Sequence, residues 1–168
     1  MAVSPSPLNY FIGKGNVYFT PTGGTERHLG NAPSARLEPK VEKKEHFSSM
    51  QGIQEKDDTF IIRKSGTLTL TLDEITLENL QMALFGGTIA VGPPRSFELF
   101  AANEVTGAIR IEGTNEKGNQ FEAEIAKVSF DPGSFDFIGD DYATIELTGE
   151  CLSVGGSFGT ITETQAAA

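Results

Sequence analysis

The side chains that could do acid–base, metal or nucleophilic work are few and scattered. The two histidines, His28 and His46, stand eighteen positions apart, and neither belongs to an HExxH or HxH spacing, so they form no zinc-ligating pair on one helix or strand. The acidic stretch Asp131 to Asp141 (DPGSFDFIGDD) lacks the alternating D-x-D-x-D oxygens and the bidentate Glu of a calcium loop and reads as a solvated turn. Gly13-Lys14-Gly15 lacks the preceding glycine and following Ser/Thr of a phosphate-cradling loop. The lone Cys151 cannot close an internal disulfide and sits in the strand-like run Glu150 to Val154, where a small buried thiol is the ordinary occupant. No Ser-His-Asp or Cys-His arrangement goes beyond the presence of the letters. The expectation is a protein that is not an enzyme, with no catalytic, cofactor-binding or metal-binding residue. The one patterned set of ionisable groups is Glu112, Glu122 and Glu124, which alternate with apolar residues on strand-like segments and share one face if those segments pair as a hairpin.

What positions them follows from composition and periodicity. A chain of 168 residues fits one domain with a sizeable core. Its net charge of −10 repels phosphate backbones, which argues against tight or sequence-specific nucleic-acid binding while leaving nucleic acid as something to be kept off a wall. The start MAVSPSPLNYFIGKG has no basic-then-apolar leader pattern and no stretch is long enough to cross a bilayer, so synthesis in a reducing cytoplasm without membrane contact is expected. Nineteen Gly, twelve Phe and no Trp suit short strands and tight turns.

Residues 1–12 read as a flexible arm, 13–156 as the folded domain and 157–168 as a flexible tail. Strand-like runs are Asn16–Thr20, Ser34–Val41, Phe60–Arg63, Thr67–Leu72, Ser96–Ala101, Val105–Glu112, Gln120–Phe130, Tyr142–Thr148 and Glu150–Val154, with a short extended piece at Arg27–Asn31 and a turn at Lys64-Ser65-Gly66. Apolar parity slips within Gln120–Phe130, from Phe121, Ala123 and Ile125 to Val128 and Phe130, which predicts a bulge near Ala126. Thr76 caps a short helix over about 76–85 with Leu77, Leu80 and Leu84 on its apolar stripe, stopped by Gly86-Gly87. The fold class expected is mainly β, a β-sandwich or flattened barrel of about eight strands with one flanking α-helix. Between two strands lies a long polar stretch, Glu42 to Thr59, read as a loop; its Phe47, Met50 and Ile53 gain little on a lone monomer and are the candidate contacts with another copy.

The order of GKGNVYF (13–19), HLGNAP (28–33), SARLEPKVEKKEHFS (34–48), IIRKSGTLTLTLDEIT (61–76) and TLENLQMALFG (76–86) resembles the major tail tube proteins of long-tailed, siphovirus-type bacteriophages. The resemblance implies a β-sandwich subunit that self-assembles into hexameric rings stacked as a hollow tube, the virion's conduit for genome ejection. In that family strands join edge to edge around the ring and a long loop reaches the adjacent ring. Carried to this chain, that loop is 42–59, with Phe47, Met50 and Ile53 as inter-ring or inter-subunit anchors, and Glu112, Glu122 and Glu124 become candidates for an acidic lumen. The implied partners are further copies of itself, the tail tip, tape measure and tail terminator proteins, and translocating DNA touched without specific binding. Two alternatives share the pattern: the tube protein of a contractile injection machine, and a carbohydrate- or receptor-binding β-sandwich, which the absence of Trp weakens.

Overall fold

The computed structural model describes residues 6–50, 52–116 and 118–164. The outermost parts of the two expected flexible termini, residues 1–5 and 165–168, lie outside the described residues. A 3-10 turn at Pro7–Asn9 precedes β1 (Lys14–Pro21), β2 (Arg27–His28), β3 (Ser34–Ser48), β4 (Glu55–Leu72), α1 (Leu77–Ala83), β5 (Val105–Thr114), β6 (Gln120–Phe130), β7 (Ser134–Phe135), β8 (Ile145–Cys151) and β9 (Gly159–Thr164). The mainly β class with one short helix is as expected.

Strict alternation in Thr67–Leu72 builds one wall. Leu68, Leu70 and Leu72 are fully buried while the threonines between them face the other side, and β8 continues the wall with Leu147 opposite Leu70 and Ile145 opposite Leu72. The nine strands pair antiparallel in the order β2-β1-β5-β6-β8-β4-β3, with β9 on β6 and β7 on β8, and do not close into a barrel. Strand β6 is the place where the sheet divides. Its first six residues pair with β9 and its last three with β8. Between them lies the expected bulge: Ala126 and Lys127 stand against Ala108 alone. The extra residue restores inward parity, so Ile125, Val128 and Phe130 are all buried. Val17, Phe19 and Ile109 from one half and Leu68, Leu70, Ile145 and Leu147 from the other belong to a single cluster, so the sheet folds over one core in the manner of a sandwich.

Helix α1 starts where its cap dictates, with Thr76 Oγ1 accepting from the Asn79 N–H at 3.2 Å. Its fully buried residues are Asn79, Met82 and Ala83; the expected Leu77, Leu80 and Leu84 are all half-buried, and Leu80 packs against the core. The reason for burying Asn79 is polar: Asn79 Nδ2 donates to the Leu29 and Glu74 carbonyls at 2.7 and 3.1 Å, and its Oδ1 accepts from Arg27 at 2.7 Å. A fully satisfied amide thereby ties α1 to the loop after β2. The helix ends at Ala83, two residues short of the expected 85: Leu84 caps it, Phe85 enters the left-handed region (φ 51°), and Gly86 N–H closes back on Gln81 O at 2.8 Å.

Five further segments differ from expectation. Glu42–Thr59 is no loop; most of it is paired β3–β4 ribbon, which runs to Ser48 opposite Glu55. Lys64-Ser65-Gly66 makes no turn, because these residues pair with Val41, Lys40 and Pro39 and join Phe60–Arg63 to Thr67–Leu72 in one strand. Ser96–Ala101 forms no strand, its backbone bonding back to the end of α1 through Glu98 O to Gly87 N–H (2.8 Å) and Phe100 N–H to Leu84 O (3.3 Å). The expected pair of strands around Gly149 is one strand, β8. A Cβ at Gly149 would lie 2.6 Å from Val128 Cγ1, so this glycine marks the close crossing of β6 and not a break. Finally, the expected flexible tail contains β9, in which Ile161 pairs with Ala123.

Candidate assembly surfaces

Beyond Pro39 and Gly66 the β3–β4 pair leaves the body as a two-stranded arm. Every residue of β4 from Glu55 to Ser65 is exposed, and β3 packs extensively on β4 alone. At ~3.3 Å per residue, the stretch from Lys40 to Ser48 carries the tip roughly 30 Å outward. Two cross-strand ion pairs, Glu42 with Arg63 at 3.1 Å and Glu45 with Lys56, and a hydrogen bond between His46 Nδ1 and Asp57 at 2.6 Å hold the ribbon. Exposed pairs of this kind set register more than stability. Of the nominated contacts, Phe47 lies opposite Lys56 near the tip, while Met50 and Ile53 lie in the terminal turn and are 93% and 80% exposed. The structure gathers all three at one end of the arm.

Sequence reading missed a larger apolar set on the arm's shaft. Phe60, Ile61 and Ile62 are consecutive and all exposed, Phe60 at 69%. A register shift between Glu42 and Lys43 leaves Ile62 without an opposing residue, so Ile61 shares a face with Lys43 while Phe60 shares the other with Lys44. Three consecutive apolar residues in a strand exposed on both faces are the signal that was available. A two-stranded ribbon with no covered face is at best marginal in water.

The second surface is the outer face of β1, β5, β6 and β9. Here the hairpin pairs as expected, Glu112 opposite Glu122 and Arg110 opposite Glu124. Arg110 is the hub. It donates to Glu26 through Nη2 at 2.8 Å and Nε at 3.1 Å, pairs with Glu112, lies 3.6 Å from Glu122, and sits over the Tyr18 ring at 4.1 Å. Hydrogen bonds from this guanidinium hold the Glu26 and Glu112 carboxyls below their usual range, and the same bonds raise Arg110. Four carboxylates against one guanidinium leave the face negative, and among the described residues Glu124 makes no ion pair. Strand β9 adds Thr160 and Thr162 opposite Glu124 and Glu122, so the face is polar throughout. Its acidity is therefore partly neutralised at Glu112 and Glu122 and unmet at Glu124.

Where the sheet divides, an apolar groove of about 570 Å³ opens between β9 and the root of the arm, lined by Leu37, Val41, Ile125, Phe158 and Ile161, with Lys40 and Lys64 at its edge. The histidines are occupied locally: His28 Nδ1 accepts from Gly30 N–H at 2.9 Å, and His46 is the arm pair just described.

Three comparisons bear on kinship. A family model described as "Protein of unknown function UCP028589" matches residues 10–94. No curated protein matches the chain. Among solved structures, one similar chain lies in the tail of an empty GTA particle with C6 symmetry; it is 12% identical, with a TM-score of 0.49, and the alignment covers 91% of this chain and 96% of that one.

Proposed function

Because this chain belongs to the family described as protein of unknown function UCP028589, we propose, from that premise and from its surfaces, that it is a structural subunit of a phage-type tail. It self-assembles into stacked hexameric rings that form the tail tube, and its role is architectural and not catalytic. The observation that carries this reading is the arm, a paired ribbon bearing Phe47, Met50, Ile53 and Phe60–Ile62 in water with nothing among the described residues to cover them. The ordered motifs of its first half, which resemble tail tube proteins, supply the type of assembly.

The energetics favour association more than a loop would. Each large apolar side chain buried is worth ~1.5–3 kcal/mol, whereas ordering a free loop costs ~1–2 kcal/mol per residue. Here most of the segment is already paired in the lone chain, so much of that ordering cost is met before contact. The acidic face of β1, β5, β6 and β9 serves as the lumen wall, with Glu112, Glu122 and Glu124 toward the passing genome, because a negative wall keeps a polyanion from adhering. The tail tip, tape measure and tail terminator are its partners at the ends and core of the tube, and the assembled tail is its place of action after synthesis in the host cytoplasm.

Electron microscopy of the concentrated protein is the direct test. Rings with a central hole, alone or stacked, are expected. A strictly monomeric protein at millimolar concentration, or one that binds glycans as a monomer, would overturn the reading.

A further inference from the structure

The arm root carries unmatched positive charge in a chain of net charge −10. On the face that runs on from the apolar groove, Val41 pairs with Lys64 and Lys43 pairs with Ile61. Glu42 and Glu45 are taken by Arg63 and Lys56, and among the described residues neither Lys43 nor Lys64 has a carboxylate at ion-pair distance. The surface is cationic and apolar at once.

Its complement lies at the other end of the same molecule. Between β7 and β8 the segment 136–142 (DFIGDDY) is exposed throughout, with Ile138 at 96% and Tyr142 at 99%, and Phe137 is exposed beside its edge-on partner Phe135. Asp136, Asp140 and Asp141 make no ion pair among the described residues. This segment leaves the sheet where Leu72 pairs with Ile145, whereas the arm leaves from the opposite end, where Gly66 pairs with Cys151. Ile61 is eleven residues along β4 from Leu72, which is roughly 35 Å of extended strand. The segment, tethered at Phe135 and Ile145, reaches out and back no more than roughly 15 Å. It cannot cover its own arm.

We propose that the Lys43–Lys64 face of the arm docks the 136–142 segment of a second copy of this chain. This deepens the self-assembly proposed above and rests on it. The two patches are different surfaces, so the contact is heterologous: each copy offers one donor and one acceptor, the arrangement that propagates as a closed ring or an open stack. Aliphatic groups of the arm cover Ile138 and Phe137, while the lysines meet the aspartates and set the register. Charge complementarity on this scale governs partner choice and encounter rate.

Charge exchange in the full chain tests it. Lys43→Glu/Lys64→Glu and Asp140→Lys/Asp141→Lys are each expected to raise the association midpoint, read by sedimentation and electron microscopy, by ~10-fold or more, since like charges then face each other. Circular dichroism and thermal melting of each monomer should stay as in the unaltered chain, since all four positions are exposed. A 1:1 mixture of the two variants should recover assembly, because every contact between unlike copies again joins opposite charges. Tubes from the unaltered chain together with unimpaired assembly of either variant, or no recovery in the mixture, overturn this docking while leaving self-assembly standing. An unaltered chain that never associates overturns both.

Discussion

At the scale of single residues, Arg110 decides how the outer face responds to acid. Its hydrogen bonds to Glu26 and Glu112 lower both carboxyl pKa values, with desolvation opposing and direct charge attraction adding to them. A carboxyl held low in the folded state and ordinary in the unfolded chain contributes stability above the unfolded value, near ~4.3, and loses it as pH falls through the folded value. The melting temperature is therefore expected to be flat from pH 7 to about 5 and to fall below that, within the carboxylate range. Arg110→Gln should lower the melting temperature by a few degrees at pH 7 and by progressively less at acid pH, as the carboxyls become protonated in the folded state too. Thermal unfolding at pH 7 and at acid pH checks this, and an equal loss at both would mean that Arg110 acts through packing on Tyr18 and not through charge. That Glu112 faces Glu122 was legible from the alternation of the two segments. That an arginine from β5 sits among them was not, because Arg110 reads as one more outward polar residue and Glu26 comes from a turn whose position no periodicity fixes.

At the scale of elements, legibility followed whether a face was buried. Thr67–Leu72 was readable because one side meets the core and selects every second residue for apolarity, and the bulge at Ala126–Lys127 was readable because burial on both sides of it forces a parity slip. The arm offered no such contrast. With both faces in water, Glu42-Lys43-Lys44-Glu45 and Glu55-Lys56-Asp57-Asp58 carry no alternation, and a paired ribbon looks like a loop. Strand β9 hid for a related reason, since Gly159–Thr164 is exposed along its whole length. The same independence from the core makes the arm removable. Glu42 and Arg63 are direct partners, so replacing residues 43–62 by Asn-Gly joins them through a two-residue turn of the type that suits a hairpin. The shortened chain is expected to keep the monomer's melting temperature within a few degrees, because burial on β4 begins only at Gly66, and to form no rings or tubes. Size-exclusion chromatography with light scattering, together with microscopy, checks both halves. Tubes built from the shortened chain would show that the arm is dispensable, and an unfolded product would show that it stabilises the body.

At the scale of the whole molecule, the proposed tube would divide its work between the two ends and the outer face of the subunit. The arm and the 136–142 segment lie at opposite ends of the β4–β8 pair, which gives the subunit a direction. The face of β1, β5, β6 and β9 lies across that direction and is polar and negative. Its charge is uneven, and that unevenness picks the residue to change. Glu112 and Glu122 surround Arg110, so a lysine at either would place two cations together and disturb the sheet itself. Glu124 has no ion-pair partner among the described residues and is exposed, so Glu124→Lys alters the field of the wall with little effect on the fold. In the proposed ring of six the change would recur six times per layer and along every layer, and a passing phosphate backbone would then meet a ladder of ammonium groups. Tubes carrying Glu124→Lys are expected to assemble normally by microscopy and to release DNA several-fold more slowly, with the delay shrinking as salt rises because the retarding contacts are phosphate contacts. Glu124→Gln should lie between the two. Ejection at the unaltered rate from well-formed Glu124→Lys tails would place this face away from the genome and leave the opposite side of the sheet, or the arm, to line the passage.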